Sequence, residues 1–102
     1  MYRLNYNPKA KNDIDNILKY IAEDLFNPTA AMRLAAEIVN SVDKLNDFPY
    51  INPVYKTYNQ LKHEYRKLVI KNYIIFYYID EKNKQINIAR MLYSGMNYDK
   101  LL

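Results

Sequence analysis

The sequence has 102 residues, of which half are hydrophobic and a quarter are charged, and its net charge is +4. This composition is typical of one soluble folded domain and excludes a mainly disordered or collagen-like chain. The absence of cysteine and the single histidine exclude a disulfide framework and a cysteine-based zinc site, so we expect neither a metal nor an organic cofactor.

The sequence carries no signal for a membrane or for export. No apolar run approaches the roughly 20 residues of a membrane span. The first residues also lack the apolar stretch of a signal peptide. We therefore expect a cytoplasmic protein without membrane contacts.

Charge and tyrosine are both distributed unevenly along the chain. Residues 1–50 hold six Lys or Arg and seven Asp or Glu, a net charge of −1, whereas residues 51–102 hold nine and four, a net charge of +5. Eight of the twelve tyrosines also fall in the second half. A basic, tyrosine-rich half predicts an anionic partner, either nucleic acid or an acidic protein.

The first half of the chain predicts a strand and two helices. Apolar and polar residues alternate over Met1–Tyr6, which is typical of a strand. Apolar residues then recur at helical spacing over Pro8–Leu25 and over Pro28–Leu45. Each helix is preceded by an N-cap asparagine, in the pairs Asn7-Pro8 and Asn27-Pro28. The short break between the helices predicts an antiparallel helical hairpin.

The second half predicts a long loop and three strands. Phe48–His63 has no regular pattern and contains two prolines, and a loop of this length is often functional. Strand-like runs follow at Tyr65–Ile70, Tyr73–Asp80 and Gln85–Leu92. Lys71-Asn72 predicts a two-residue hairpin turn in which Asn72 takes positive φ. We therefore predict an α+β fold of order βααβββ, with the helical hairpin on one face of a small antiparallel sheet and residues 1–102 forming one domain.

Three segments resemble one known family. YNPKAKNDIDNILKYIAED (residues 6–24) is similar to its first strand and Pro-started helix, and EYRKLVIKNYIIFYYID (residues 64–80) to its central hairpin. INIARMLYSGMNYDKLL (residues 86–102) is similar to its last strand and C-terminal segment. The family is the RelE/ParE superfamily of toxins from bacterial type II toxin–antitoxin systems, and the resemblance covers essentially the whole chain.

The resemblance implies one of two activities and one partner. RelE-like members are implied to cut mRNA on the ribosome, and ParE-like members to poison DNA gyrase. In both branches the implied partner is a cognate antitoxin that keeps the toxin inactive. Contact with operator DNA is implied only through that antitoxin.

RNA cleavage without a metal requires a base, an acid and cations beside the reacting phosphate. The resemblance implies that Lys, Arg and Tyr side chains supply these groups. The candidate catalytic residues on this basis are Arg66, Arg90, Tyr93 and His63. The candidate residues for binding nucleic acid or another target are Lys62, Lys67 and Lys71.

Each candidate also has a purely structural interpretation. His63 is either an acid–base group or an exposed residue in a polar stretch. Arg66 binds phosphate or pairs with a carboxylate, and Arg90 is either catalytic or part of a structural ion pair. Tyr93 donates a proton, stacks on a base or simply packs. The carboxylates of the first helix, Asp13 among them, predict a solvated acidic face.

The departures from the RelE-like pattern favour the ParE-like branch. The uncharged run at Ile74 stands where RelE-like enzymes carry an arginine, and Ser94-Gly95 stands where both branches usually carry basic residues. The two long helices, the run Ala89–Tyr93 and the acidic residue at Asp99 resemble ParE-like members. The resemblance therefore implies a toxin that poisons gyrase. A ribosome-dependent mRNA endonuclease and an inactive member that only binds antitoxin remain alternatives, so whether the chain is an enzyme stays open.

The predicted elements leave one sheet face without an obvious cover. Tyr77, Tyr78 and Phe76 are most simply core and sheet-surface residues. If no helix covers one face, tyrosine and isoleucine side chains are exposed there, and such an apolar patch predicts the site of the antitoxin.

Overall fold

A computed structural model describes residues 1–102 and confirms the predicted α+β class and the order βααβββ. Two long helices lie on a four-stranded sheet, and a single helical turn ends the chain. The elements are β1 (Arg3–Tyr6), α1 (Pro8–Lys19), α2 (Pro28–Asp43), β2 (Arg66–Ile70), β3 (Tyr73–Asp80), β4 (Gln85–Tyr93) and α3 (Tyr98–Leu101). No helix is long and apolar enough to cross a membrane.

The two long helices begin where the Asn-Pro pairs predict. Each has proline in its first turn, where the missing N–H costs nothing. The Asn27 side chain caps α2 by accepting a hydrogen bond of 3.0 Å from the Ala30 backbone N–H. The predicted cap at Asn7 is not formed, because its side-chain oxygen accepts from the Asn5 amide at 3.1 Å instead. A π-helical turn at Tyr20–Asp24 extends α1, and a 3-10 turn at Lys44–Asn46 extends α2.

The sheet has the order β1-β4-β3-β2. The pairs β2–β3 and β3–β4 are antiparallel, as the short links between them predict. The strand β1 pairs with β4 in parallel, with Arg3 opposite Gln85 and Tyr6 opposite Ile88, so the sheet is mixed rather than antiparallel throughout. The helical hairpin separates β1 from the other strands, and no tight turn fixes its direction.

The turn between β2 and β3 differs in one detail from the prediction. Lys71, with φ of 52°, takes the left-handed conformation there, and Asn72 does not. The Asn72 backbone carbonyl accepts hydrogen bonds from the backbone N–H and the hydroxyl of Ser94, at 2.8 and 2.9 Å. The turn is therefore tied to the end of β4.

The core has two parts, one on each face of the sheet. The larger part lies between the helices and the sheet; its fully buried members include Val42, Ile75, Tyr77, Ile86 and Ile88. The smaller part lies on the opposite face and contains Tyr65, Phe76, Ala89 and Leu92. The helices thus cover one face, as predicted, and removal of their apolar stripes from water stabilises that packing.

Candidate functional site

The sheet face opposite the two long helices is covered by the long loop and by the end of the chain. Tyr55 and Leu61 of the long loop pack on it, together with Tyr98 and Leu101 of the short helix α3. The open face considered from the sequence is therefore not present, because a loop and one helical turn cover it. We call the loop of residues 48–64 the long loop and residues 96–102 the C-terminal segment.

His63 stacks on Tyr78 at the edge of this covered face. The two rings are parallel within 3°, and their centroids are 3.7 Å apart. The Tyr65 ring stands edge-on to both, at 5.8 Å from His63 and 5.7 Å from Tyr78. His63 is exposed, as expected if it is a surface residue in a polar stretch. Its ring is therefore also accessible to a partner.

The stacked pair lies between two cavities. The larger has a volume of about 410 Å³, and its lining includes Lys9, Lys62 and Arg90. The smaller has a volume of about 140 Å³, and its lining includes Arg66 and Glu64. No carboxylate side chain lines the larger cavity, so it is suited to an anionic group.

Lys9 is a site residue that the sequence analysis missed. It lies at the start of α1, far from Lys62 in sequence, yet both line the larger cavity. The parallel pairing of β1 with β4 brings the start of α1 to this position. In the sequence Lys9 is only a lysine next to Pro8, the first residue of α1. Its place in the site cannot be inferred until the pairing of β1 with β4 is known.

Arg66 holds the long loop. Its Nη1 donates hydrogen bonds to the backbone carbonyls of Asn52, at 2.7 Å, and Tyr50, at 3.3 Å. Its guanidinium carbon also lies 4.9 Å from the centre of the Tyr50 ring. The partners of Arg66 are thus backbone carbonyls and an aromatic ring and not the carboxylate of one interpretation, and phosphate binding stays a prediction.

Arg90 is engaged in a structural ion pair. Its Nε and Nη2 donate to the two carboxylate oxygens of Asp13, at 2.7 and 3.0 Å, and its Nη1 donates to the Leu101 carbonyl at 2.9 Å. The hydrogen bond to Asp13 raises the pKa of Arg90 further above its ordinary value. The same carboxylate accepts from the Met91 backbone N–H at 3.0 Å. The expectation that Asp13 belongs to a solvated acidic face is wrong, because its side chain is only 12% exposed.

Lys71 and Tyr93 do not join this site. Lys71 lies in the β2–β3 turn, 3.7 Å from a carboxylate oxygen of Glu37. Tyr93, half exposed at the end of β4, stands edge-on to Tyr73 at a centroid distance of 5.6 Å. Both lie at the end of the sheet opposite His63, because Tyr73 is paired with Tyr93 whereas Arg66 is paired with Tyr77. Lys67 is half buried in β2, and its backbone N–H donates to the Pro53 carbonyl at 3.0 Å.

Asp99 ties the C-terminal segment to the long loop. Its carboxylate accepts hydrogen bonds from the hydroxyls of Thr57 and Tyr55, the latter at 2.6 Å, and from the side-chain amide of Asn59. These hydrogen bonds lower the pKa of Asp99, and the bond from Thr57 contributes most. The hydrogen bond to Asp99 raises the pKa of Tyr55 to about 12. The long loop and the C-terminal segment therefore form one connected cover.

Glu81 holds the start of the long loop. It accepts hydrogen bonds from Lys84 at 2.6 Å, from the Tyr50 hydroxyl and from the Tyr2 hydroxyl at 2.7 Å. These hydrogen bonds lower the pKa of Glu81 to about 2, and the bond from Lys84 contributes most. The Tyr77 hydroxyl adds a bond of 2.8 Å to the Pro49 carbonyl. A loop without regular structure is thus fixed at its start by Glu81 and Tyr77 and in its middle by Asp99.

The chemistry available at this site is electrostatic attraction and stacking. Lys9, Lys62 and His63 are accessible donors around a cavity, whereas the two arginines already have protein partners. No group of three His, Cys, Asp or Glu side chains is placed to hold a metal ion. The site thus suits binding of an anionic surface better than it suits acid–base chemistry.

The sequence profile of ParE toxins from type II toxin–antitoxin systems, the parDE type, matches residues 4–98. The chain belongs to the ParE toxin family. None of the curated proteins matches its sequence significantly. As a family member it is the toxin component of a type II toxin–antitoxin system, as the resemblance implied.

Two solved structures have a similar fold. The first, described as the chromosomal ParDE system from P. aeruginosa, is similar with a TM-score of 0.72 and 21% identity, over 91% of this chain and 96% of that chain. The second, the RelBE2 toxin–antitoxin complex from Mycobacterium tuberculosis, has a TM-score of 0.63 and 15% identity, over 90% and 96%. The TM-scores establish a shared fold although the identities are low, and the two structures show that both ParDE and RelBE2 complexes contain it.

Proposed function

We propose that this toxin arrests growth by inhibiting DNA gyrase and that a cognate antitoxin binds and neutralises it. The observation that carries the choice of gyrase over RNA cleavage is the engagement of Arg90. A guanidinium stabilises a cleavage transition state only if it can face the reacting phosphate. Here all three guanidinium nitrogens of Arg90 donate to Asp13 or to the Leu101 carbonyl.

The engagement of Arg66 supports the same proposal. Its guanidinium spans two loop carbonyls and one aromatic ring, so it acts as part of the fold. The uncharged run at Ile74 on β3 adds no further cation. The proposed toxin therefore acts by docking and not by cutting.

We assign target contact to Lys62, His63 and Lys67 beside the covered face and to the C-terminal segment. The second half of the chain carries a net charge of +5, which favours a target with an acidic surface. Lys71 belongs to a separate basic position at the other end of the sheet. The antitoxin is proposed from family membership and from the complexes in which similar folds occur.

A supercoiling assay with purified gyrase and relaxed plasmid tests the gyrase proposal. Wild-type toxin should inhibit supercoiling, and Lys62→Glu should weaken the inhibition by about tenfold, since reversal of one interface charge costs on the order of 1–2 kcal/mol. Lys82→Glu, an exposed lysine in the β3–β4 turn, is the matched charge control and should inhibit like the wild type. Unhindered supercoiling at saturating toxin would exclude gyrase as the target.

A ribosome-dependent endonuclease is the second candidate, and the larger cavity favours it. Lys9, Lys62 and His63 surround a concave space whose lining has no Asp or Glu side chain, which favours a phosphate. Cell-free translation with end-labelled mRNA tests it: cuts that need ribosomes and disappear in His63→Ala would establish cleavage. Negative results in both assays would leave a family member that only binds antitoxin. A pull-down with a tagged antitoxin would then test this remaining activity.

A further inference from the structure

Phe26 is an exposed aromatic residue in an unfavourable backbone conformation. Its φ is 51°, and its side chain is 87% exposed. It connects the π-helical turn after α1 to Asn27, the N-cap of α2. Bulky L-residues rarely adopt positive φ, whereas glycine and asparagine do so readily.

The folded chain does not gain from phenylalanine at this position. The turn is closed by backbone bonds around it, from the Asn27 N–H to the Ile21 carbonyl and from the Leu25 N–H to the Tyr20 carbonyl, both 3.1 Å. The ring itself lies in water, so its burial does not compensate for the strained φ. A strained residue with an exposed aromatic side chain is typical of a position that serves binding.

Two adjoining, mainly apolar cavities lie beside Leu25, the residue before Phe26, and Phe26 itself lies outside both linings. A cavity of about 600 Å³ lies between Tyr20, Tyr73 and Tyr93, and a second of about 360 Å³ continues toward Arg33 and Lys71. The two cavities share Leu25, Asn72 and Tyr73. We call the surface of these two cavities, together with Phe26, the tip surface. It lies where the end of the helical hairpin meets the β2–β3 turn.

The charged side chains that line the tip surface are all positive. Arg33 and Lys71 line the second cavity, and neither cavity has a carboxylate among its lining residues. Glu23 and Asp24 lie on the π-helical turn but outside both linings, and Glu37 approaches Lys71 from the side at 3.7 Å. A partner for this surface therefore offers apolar side chains together with carboxylates.

We propose that the tip surface docks the target protein, which receives the Phe26 ring in an apolar recess and places carboxylates against Arg33 and Lys71. This inference rests on the proposed function in taking gyrase as that target. A protruding ring needs a recess in an already folded partner. An unfolded antitoxin segment would instead insert its own side chains into grooves of the toxin, so the ring favours the target over the antitoxin.

The variant Phe26→Gly separates folding from binding. Glycine accepts the positive φ, so the thermal midpoint of the variant should equal or exceed that of the wild type. Its affinity for purified gyrase holoenzyme, measured by biolayer interferometry, should fall about tenfold or more, as for a buried aromatic anchor. The control is Ile51→Gly, an exposed apolar residue of the long loop, and its affinity should stay within about twofold of the wild type.

Growth arrest after induction in cells, at matched protein levels, gives a readout that does not depend on the identity of the target. Phe26→Gly should lose growth arrest and still bind the antitoxin with wild-type affinity. If wild-type toxin arrests growth without binding gyrase and Phe26→Gly does not arrest growth, the tip surface is supported and gyrase is excluded. Full growth arrest by Phe26→Gly, or loss of antitoxin binding, would overturn the inference. A wild-type chain that does not arrest growth would overturn both proposals.

Discussion

Asp13 on α1 binds the guanidinium of Arg90 on β4 through two hydrogen bonds, although the residues are 77 positions apart in sequence. The pair connects the first helix to the last strand, and the Leu101 carbonyl joins it to the C-terminal segment. Its side chains are only 12% and 18% exposed, so water screens the interaction weakly. The pair therefore explains how α1 is held against the sheet.

Loss of Asp13 should destabilise the fold strongly. Asp13→Ala leaves the Arg90 guanidinium without its carboxylate and the Met91 N–H without its acceptor, which should lower the free energy of unfolding by about 3 kcal/mol. Urea denaturation measures the loss. Asp15→Ala, an exposed carboxylate of the same helix, is the control and should change stability by less than about 0.5 kcal/mol. Equal losses in the two variants would show that the ion pair has no special role.

The hydrogen bonds of Glu81 predict how stability depends on pH. Its pKa in the folded chain is about 2, against about 4.3 for an unperturbed glutamate. Because the folded state holds the charged form, this contribution is complete above the ordinary pKa and disappears as the pH falls toward the folded value.

Glu81→Gln should therefore be less stable than the wild type at neutral pH, and the difference should shrink as the pH is lowered through this range. Thermal unfolding between pH 7 and the acid limit measures it. Glu64→Gln, an exposed carboxylate without a hydrogen-bonded partner, should track the wild type at every pH. A stability difference for Glu81→Gln that stays constant with pH would contradict the assignment.

Arg66 should control the order of the long loop and not any chemistry. Arg66→Lys keeps the charge but loses the stacking on Tyr50 and the geometry of the bond to the Asn52 carbonyl. Amide exchange in residues 48–53 should accelerate by about tenfold, the factor expected for loss of one charge-assisted hydrogen bond. The control Lys67→Ala, whose side chain makes no hydrogen bond, should leave exchange unchanged. Unchanged exchange in Arg66→Lys would argue that the other contacts of the loop, such as those of Glu81 and Tyr77, are sufficient to hold it.

Asp99 should couple the C-terminal segment to the long loop. Asp99→Asn weakens three hydrogen bonds from loop side chains, so trypsin should cut after Lys56 several times faster. Asp47→Asn, an exposed carboxylate outside this network, is the control and should be cut at the wild-type rate. A wild-type cutting rate in Asp99→Asn would mean that the two segments are ordered independently. Deletion of the whole C-terminal segment would disturb the loop as well, so point variants are the cleaner test of target contact.

Local patterns in the sequence were sufficient for the helices and strands. The apolar periods of α1 and α2 and the runs of β2, β3 and β4 lie in continuous segments, so their type and order followed directly. The π-helical turn that replaces the predicted end of α1 after Lys19 did not follow, and neither did the short helix α3. The direction of β1 did not follow, since its partner β4 is distant in sequence and no turn constrains it.

The candidate site was only partly predictable for the same reason. Lys62 and His63 are adjacent in sequence and line the same cavity, but Lys9 reaches it only through the fold. The partner of Arg90 could not be assigned, because Asp13 looked like one of several solvated carboxylates on its helix. The conformation of Phe26 is likewise set by the closure of the hairpin around it, and no residue preference indicates it.

The parallel pairing of the first strand with the last has a consequence during synthesis. Arg3–Tyr6 must wait for Gln85–Ile88 before its backbone N–H and C=O groups can enter the sheet, because a domain completes its pairing only when all its strands have left the ribosome. A partly made chain therefore lacks the cavity between Lys9 and Lys62, which exists only beside the completed sheet. The site beside Lys9 and Lys62 therefore forms only when nearly the whole length of the chain has been translated.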